Sequence, residues 1–171
     1  LTADWRAKNP NVEPADQLLA RIRTERRIRW EAAELAKMEA KGKMPRDDGW
    51  KRKYQEPTVP DQPAPEWLPD GWGWATVKQV TSLLTDGEHQ TPERSETGVL
   101  LLSARNVHNG RLDLSQVDHI SRQVYEQLSR RFQVQAGDVL LSCSGSVGRS
   151  CVVPIGIEFS LVRSAALLRT V

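Results

Sequence analysis

From Ala15 to Lys41 the chain runs 27 residues without a glycine or a proline, and good helix formers fill most of it. Nothing else in the sequence restricts the fold as much. At 1.5 Å per residue the stretch makes a rod of roughly 40 Å. Pro14, following Asn11 and Glu13, suits a first turn, because its missing N–H is one that a helix start leaves unpaired anyway. Gly42 and Pro45 end the rod. Its apolar seam is thin: Ala15, Leu18, Leu19, Ile22, Ala32, Ala33, Ala36 and Ala40 share one side, interrupted midway by Glu25, Arg26 and Arg29. Such a helix holds poorly in water by itself and is expected to pack on a partner helix. Arg21, Arg23, Arg26, Arg27 and Arg29 admit two readings. They form a solvated face with Glu25 and Glu31 as local partners, or they touch phosphates or an acidic partner surface. The first is preferred, with some of them at a protein interface.

Three zones follow from this arm. Residues 1–55 are helical in character. Residues 56–65, EPTVPDQPAP, hold four prolines in ten and read as an extended, semi-rigid linker. Residues 66–171 read as a mixed α/β domain, so the fold class is α+β with a long N-terminal helical arm. That domain opens with Trp67, Trp72 and Trp74 around a Pro-Asp-Gly turn, tryptophans expected to seal a core edge. Val99–Ser103 is an apolar strand; Leu112, Leu114, Val117 and Ile120 suggest a second, broken one. Ser121 caps a short helix with Val124, Tyr125, Leu128 and Phe132 as its apolar positions. Gly137–Pro154 reads as a hairpin: Val139, Leu140 and Leu141 form a strand buried on both faces, Ser144–Gly148 a loop of small residues, then a second apolar strand. Phe159–Val171 supplies further strand material.

Bulk properties narrow the function. The net charge is +2, unevenly placed: 14 Lys and Arg stand against 10 Asp and Glu up to Pro57, and 10 against 12 after it. A freely acting DNA binder is usually more basic. No apolar run approaches the roughly 20 residues of a membrane helix, and LTADWRAKNP has no signal-peptide core. The first residue is not methionine, so a fragment of a longer protein is expected. Cys143 and Cys151 could face each other across a hairpin but are too few for a disulfide scaffold, and read as two reduced, buried thiols of a cytoplasmic protein.

Several residues invite chemistry. Asp86-Gly87 and Thr91-Pro92 are turn signals, so Glu88, His89 and Gln90 sit on a loop. His108 and His119 have no ligand-like spacing to His89, which argues against a metal site. Glu and Gln on an exposed loop are side chains that read base edges. Arg105-Asn106 is a second pair of polar readers, or Asn106 with Asn109-Gly110 is simply turn chemistry. Ser142, Ser144, Ser146 and Ser150 lack a nucleophile elbow and a nearby base. A tight turn between two core strands is the preferred reading of the glycines there.

Taken in order, these pieces resemble the specificity subunit of type I restriction–modification systems. DGEHQTP (86–92), the strand leading to Arg105-Asn106-Val107 with Gly110 following, HIS with VYEQL (119–128) and GDVLLSCSGSVGR (137–149) look like a target recognition domain. LPDGW (68–72) looks like its entry, and residues 15–43 resemble the spacer arm that precedes a second recognition domain. Glu88 stands where the family commonly has Thr. The chain is expected to stop before that domain's last strands, helix and second spacer.

The resemblance implies a DNA-reading subunit without catalysis of its own, reading half of a bipartite target. It implies docking on methyltransferase subunits and, through the complex, on a translocating nuclease subunit. Methyl donor and ATP belong to those partners, so no cofactor and no metal are assigned here. The implied DNA-binding residues are Glu88, His89, Gln90, Thr91, Arg105, Asn106, Ser146 and Arg149. Two other readings stay open: an enzyme using His89 with Glu88 or a serine, and a helical protein-interaction fragment whose truncated domain no longer reads DNA.

Overall fold

The computed structural model describes residues 3–171. The chain divides into two compact units, one up to Val80 and joined by Val171, the other Thr81–Thr170. The stretch 56–65 lies inside the first unit. Among the described residues no helix is long and apolar enough to cross a membrane.

The first unit contains a short helix α1 (Ala3–Lys8), the long helix α2 (Ala15–Glu39), a 3₁₀ turn at Asp48–Lys53 and a last turn of helix α3 (Val77–Val80). Pro14 stands at the N-cap of α2 and offers no side-chain acceptor; the Gly71 carbonyl takes the Ala15 N–H instead, at 3.0 Å. Gly42, at φ +64°, reverses the chain after α2 while the Met38 carbonyl accepts from Lys41 and Lys43. No residue of α2 is buried. What steadies the helix is aromatic and ionic. Trp30 stacks on Trp50 with ring centres 6.0 Å apart and leans on Tyr54 at 5.3 Å. Arg21 pairs with Glu13 and Glu25, Arg23 with Glu56, Arg27 with Glu31 and Arg29 with Glu25. Arg21, Arg23, Arg27 and Arg29 are thus tied up with carboxylates in pairs open to solvent and individually weak. Trp67, Trp72 and Trp74 do not seal a core edge as expected: all three are exposed, Trp67 by 76%. The turn at Pro69–Trp72 uses Gly71 at φ +79°, and Arg6 lies over the Trp72 ring.

The second unit is built on two sheets. The larger has the order β1 (Thr81–Asp86), β9 (Ala165–Thr170), β6 (Val139–Ser142), β7 (Ser150–Val152), and all its pairings are antiparallel. The smaller has the order β5 (Asp118–Ile120), β2 (Val99–Leu102), β8 (Phe159–Leu161); β2 runs antiparallel to β5 and parallel to β8. A two-stranded piece, β3 (Val107–His108) with β4 (Arg111–Leu112), closes one side. The main core gathers Leu102, Val107, Leu140, Phe159, Leu161 and Leu167. A second cluster, Val99, Leu101 and Ile120, is covered by Val124, Tyr125 and Leu128 of helix α4 (Arg122–Leu128). Ser121 caps α4, its hydroxyl accepting the Val124 N–H at 3.2 Å.

One strand differs from its sequence reading. β6 is not buried on both faces: Leu140 and Ser142 are buried while Val139 and Leu141 are half-buried, the alternation of a one-sided antiparallel strand. The strand buried at every position is β8. It pairs parallel with β2, and its Phe159 and Leu161 enter the main core.

Candidate nucleic-acid interface

Four connections meet at one end of the second unit, and backbone bonds hold them together. The chain leaving β1 is pinned to the β8–β9 turn: Glu88 N–H donates to Leu161 O at 2.7 Å and Arg163 N–H to Glu88 O at 3.0 Å. The chain leaving β2 is pinned to the same turn, Val162 N–H donating to Leu102 O and Ala104 N–H to the Ser164 hydroxyl, both at 3.0 Å. The loop between β6 and β7 joins through Cys143 N–H to Ser164 O at 2.8 Å. Glycine makes the first junction possible. A Cβ at Gly87 would stand 2.3 Å from Leu161 O, so only glycine admits this approach.

The loop after β1 carries Glu88, His89, Gln90 and Thr91. Glu88 is held on backbone and side chain, its carboxylate 3.6 Å from Arg131, and is largely withdrawn from solvent. His89 is exposed and lies 3.0 Å from Asp86. Arg131, just beyond α4, also reaches Asp86 Oδ1, the Thr85 hydroxyl and the Gly87 carbonyl, anchoring the root of the loop. Partial burial pulls the Asp86 carboxyl up, and the His89 and Arg131 contacts outweigh that pull, so its pKa lies below the ordinary value. Gln90 and Thr91 are exposed. An exposed His89 whose one carboxylate is shared with an arginine gives little to an enzyme reading.

Arg105 and Asn106 part company. They lie on a 3₁₀ turn, Ala104–Asn106, and Asn106 is buried. Its Oδ1 accepts from Ser103 N–H at 3.0 Å, and its Nδ2 donates to the carbonyls of Asp113 (3.0 Å) and Gln116 (2.9 Å). Both ends of the amide are occupied in shaping the turn. Arg105 points out and pairs with Asp118 at 2.9 Å. Arg94, which the sequence did not single out, reaches the same Asp118 oxygen at 3.3 Å.

Ser142 organises the β6–β7 loop. Its hydroxyl donates to Ser146 O and accepts the Arg149 N–H at 3.1 Å, while its backbone pairs with Arg149 and Gly148. Gly145 (φ +72°) and Gly148 (φ +90°) supply the left-handed turns. Ser146 is thereby exposed, and among the described residues neither Arg149 nor Arg163 has an acidic partner within ion-pair distance. The expectation of two buried thiols holds for Cys151 and fails for Cys143, which lies in the loop past the end of β6 and is exposed; both are free. Among the described residues no group of three or more His, Cys, Asp or Glu is placed to hold a metal ion.

Glu88, Arg105, Ser146 and Arg149 therefore come to one end, with Gln90 and Thr91 on the continuing loop, and Arg163 joins them. The missed arginines had no motif to mark them. Arg163 follows a buried strand, and Arg94 matters only through the pairing that brings Asp118 to it.

No family model matches the chain. Over 160 residues, 94% of its length, it is 22% identical to the EcoAI type I restriction enzyme specificity subunit of Escherichia coli. The chain spans 24% of that protein's length.

Proposed function

We propose that this chain is a DNA-specificity segment of a type I restriction–modification system: a spacer helix, α2, followed by part of a target recognition domain. The likeness to the EcoAI specificity subunit runs through both units. The observation that carries the reading is the meeting of four connections at one end of the second unit. Gln90, Thr91 and Arg105 are exposed there beside Arg149 and Arg163, two arginines without acidic partners among the described residues. Exposed polar side chains on a rigid platform suit base reading, and free guanidiniums beside them suit phosphates.

The weak net charge fits a reader that works inside a complex. Phosphate contacts set affinity and base contacts set sequence, so methyltransferase subunits that grip the duplex relieve this segment of much of the first task. Catalysis then resides in those subunits and in the restriction subunit, and double-stranded DNA is the ligand. The first unit offers Ile28 on α2 and the exposed rings of Trp67, Trp72 and Trp74 for subunit contacts.

The test is a methylation map. Cells expressing the complete specificity subunit that carries this segment, with its methyltransferase subunits, are compared with cells carrying Gln90→Ala, Thr91→Ala or Arg149→Ala. Gln90→Ala and Thr91→Ala should change the methylated sequence, and Arg149→Ala should lower methylation evenly across sites. An unchanged motif in the first two, with fold retained, removes the assignment of this loop as a reader.

A further inference from the structure

Asp118 holds two arginines on one carboxylate oxygen, Arg105 at 2.9 Å and Arg94 at 3.3 Å. The backbone places all three. Asp118 opens β5 and faces Leu101 across the β2 ladder, which fixes it beside the 3₁₀ turn that carries Arg105. On the other flank of β5, Ser95 bridges His119, its N–H donating to His119 O at 2.9 Å, and that bridge brings Arg94 alongside. Asp118 is only 28% exposed, whereas the Arg105 and Arg94 side chains are 51% and 60% exposed. Two guanidiniums thus project into solvent from a half-buried anchor, and among the described residues neither has a second acidic partner.

Their chemistry differs from that of Arg149 and Arg163. A free arginine is a mobile positive charge and suits phosphate. An arginine tethered to a carboxylate has part of its charge compensated and its orientation fixed, but keeps most of its five donors. That combination weakens a point-charge role and favours directional bonding. The commonest directional partner of arginine in duplex DNA is guanine, whose O6 and N7 accept a bidentate pair in the major groove.

We propose that Arg94 and Arg105, oriented by Asp118, form a guanine-reading pair within the recognised half-target. The proposal rests on the reading of the second unit as a DNA-recognition module, and Arg94 and Asp118 are its new members.

The experiment is again a methylation map with the complete subunit and its methyltransferase partners, for Arg94→Lys, Arg105→Lys and Asp118→Asn, with Gln90→Ala as a reference. The lysine variants keep the charge and the ion pair, so they preserve the fold, but lose the planar fork. Each is expected to relax a guanine requirement at one position, raising methylation at sites with another base there about 10-fold relative to the original motif. Asp118→Asn should relax the same positions. A half-target without any G·C pair overturns the proposal, as does a guanine requirement retained in both lysine variants. If Gln90→Ala alters the motif while the arginine variants do not, the pair fails and the recognition reading stands. If none of the four alters it, the recognition reading fails as well.

Discussion

Arg169, near the end of β9, grips Asp138 in the turn before β6 with Nε to Oδ1 at 2.7 Å and Nη2 to Oδ2 at 2.8 Å. Asp138 is only 2% exposed and also accepts the Gln135 N–H, while Arg169 donates to the Gln133 carbonyl. The Gly-Asp step ahead of the apolar run is thereby explained. Gly137 turns at φ +90°, and Asp138 locks the 133–138 loop to the central strand. Removing one member of a fully buried pair costs about 3–5 kcal/mol, and because the Arg169 side chain is 26% exposed the guanidinium left behind keeps some water, which lowers the cost to about 2–3 kcal/mol. Asp138→Ala is expected to lose stability in that range, measured by urea denaturation of the chain. Adding Arg169→Met should recover part of the loss, since the stranded guanidinium goes with it. Additive losses would mean that the two side chains do not act as a pair.

Gly87 and Gly110 test what the glycines are for. Gly110 turns at φ +77° with open space where a Cβ would stand, whereas a Cβ at Gly87 would come within 2.3 Å of the Leu161 carbonyl oxygen. Gly110→Ala should cost about 1–2 kcal/mol through backbone strain alone. Gly87→Ala must push β1 off the β8–β9 turn, adding overpacking of about 1–3 kcal/mol and loosening the loop that carries Gln90. Hydrogen exchange separates the two cases. The Glu88 and Arg163 amides should exchange faster in Gly87→Ala and remain protected in Gly110→Ala.

The two cysteines give a direct reading of the core. Cys151 faces Leu140 across the β6–β7 ladder and is buried, and that burial pushes its thiol pKa up. Cys143 lies just past β6 and is exposed. A thiol reagent should label Cys143 at once, and Cys151 only when the domain opens, slower by a factor of about 10³ or more for an ordinary stable domain. Mass spectrometry of the singly labelled protein locates the modification. Comparable rates at both positions would mean that β7 is not stably paired.

How far the sequence led depended on the range of the interaction. The long helix, the Val99 strand, the Ser121 cap and the Gly137–Pro154 hairpin were legible because their signals are local: a missing breaker, an apolar run, a capping hydroxyl, glycines at a turn. TSLLTD was not recognised as β1, because its partner β9 lies some eighty residues on and supplies the reason for the strand. The parallel β2–β8 pair was hidden for the same reason. Asn106 was read either as a polar reader or, with Asn109-Gly110, as turn chemistry, and in the structure its amide is taken up by Ser103, Asp113 and Gln116. The Arg94–Asp118–Arg105 group was invisible, since it exists only once β5 has been laid against β2 in one register. For the tryptophans near residue 70, closeness to a domain boundary suggested burial, whereas all three are exposed.

Acidification tests the anchoring of the loop after β1. The carboxyl of Asp86 is held below its ordinary range by His89 and Arg131 against the pull of partial burial, and Glu158 is held down chiefly by the Arg122 fork, with bonds of 2.9 and 2.7 Å. For a carboxylate depressed in the folded state, the stabilisation is fully present above its unfolded pKa of about 4 and is lost as the pH falls through the lower folded value. The urea midpoint should therefore drop as the pH falls below about 5, and drop less in Asp86→Asn with Glu158→Gln, which have nothing left to protonate at those sites. Both groups are more than a third exposed, so the contribution is modest and should shrink further in high salt. Within the same pH range, amides of residues 87–90 should lose protection before those of β8 if Asp86 anchors the loop. A variant pair with the same acid profile as the wild type would assign the acid sensitivity to other carboxylates.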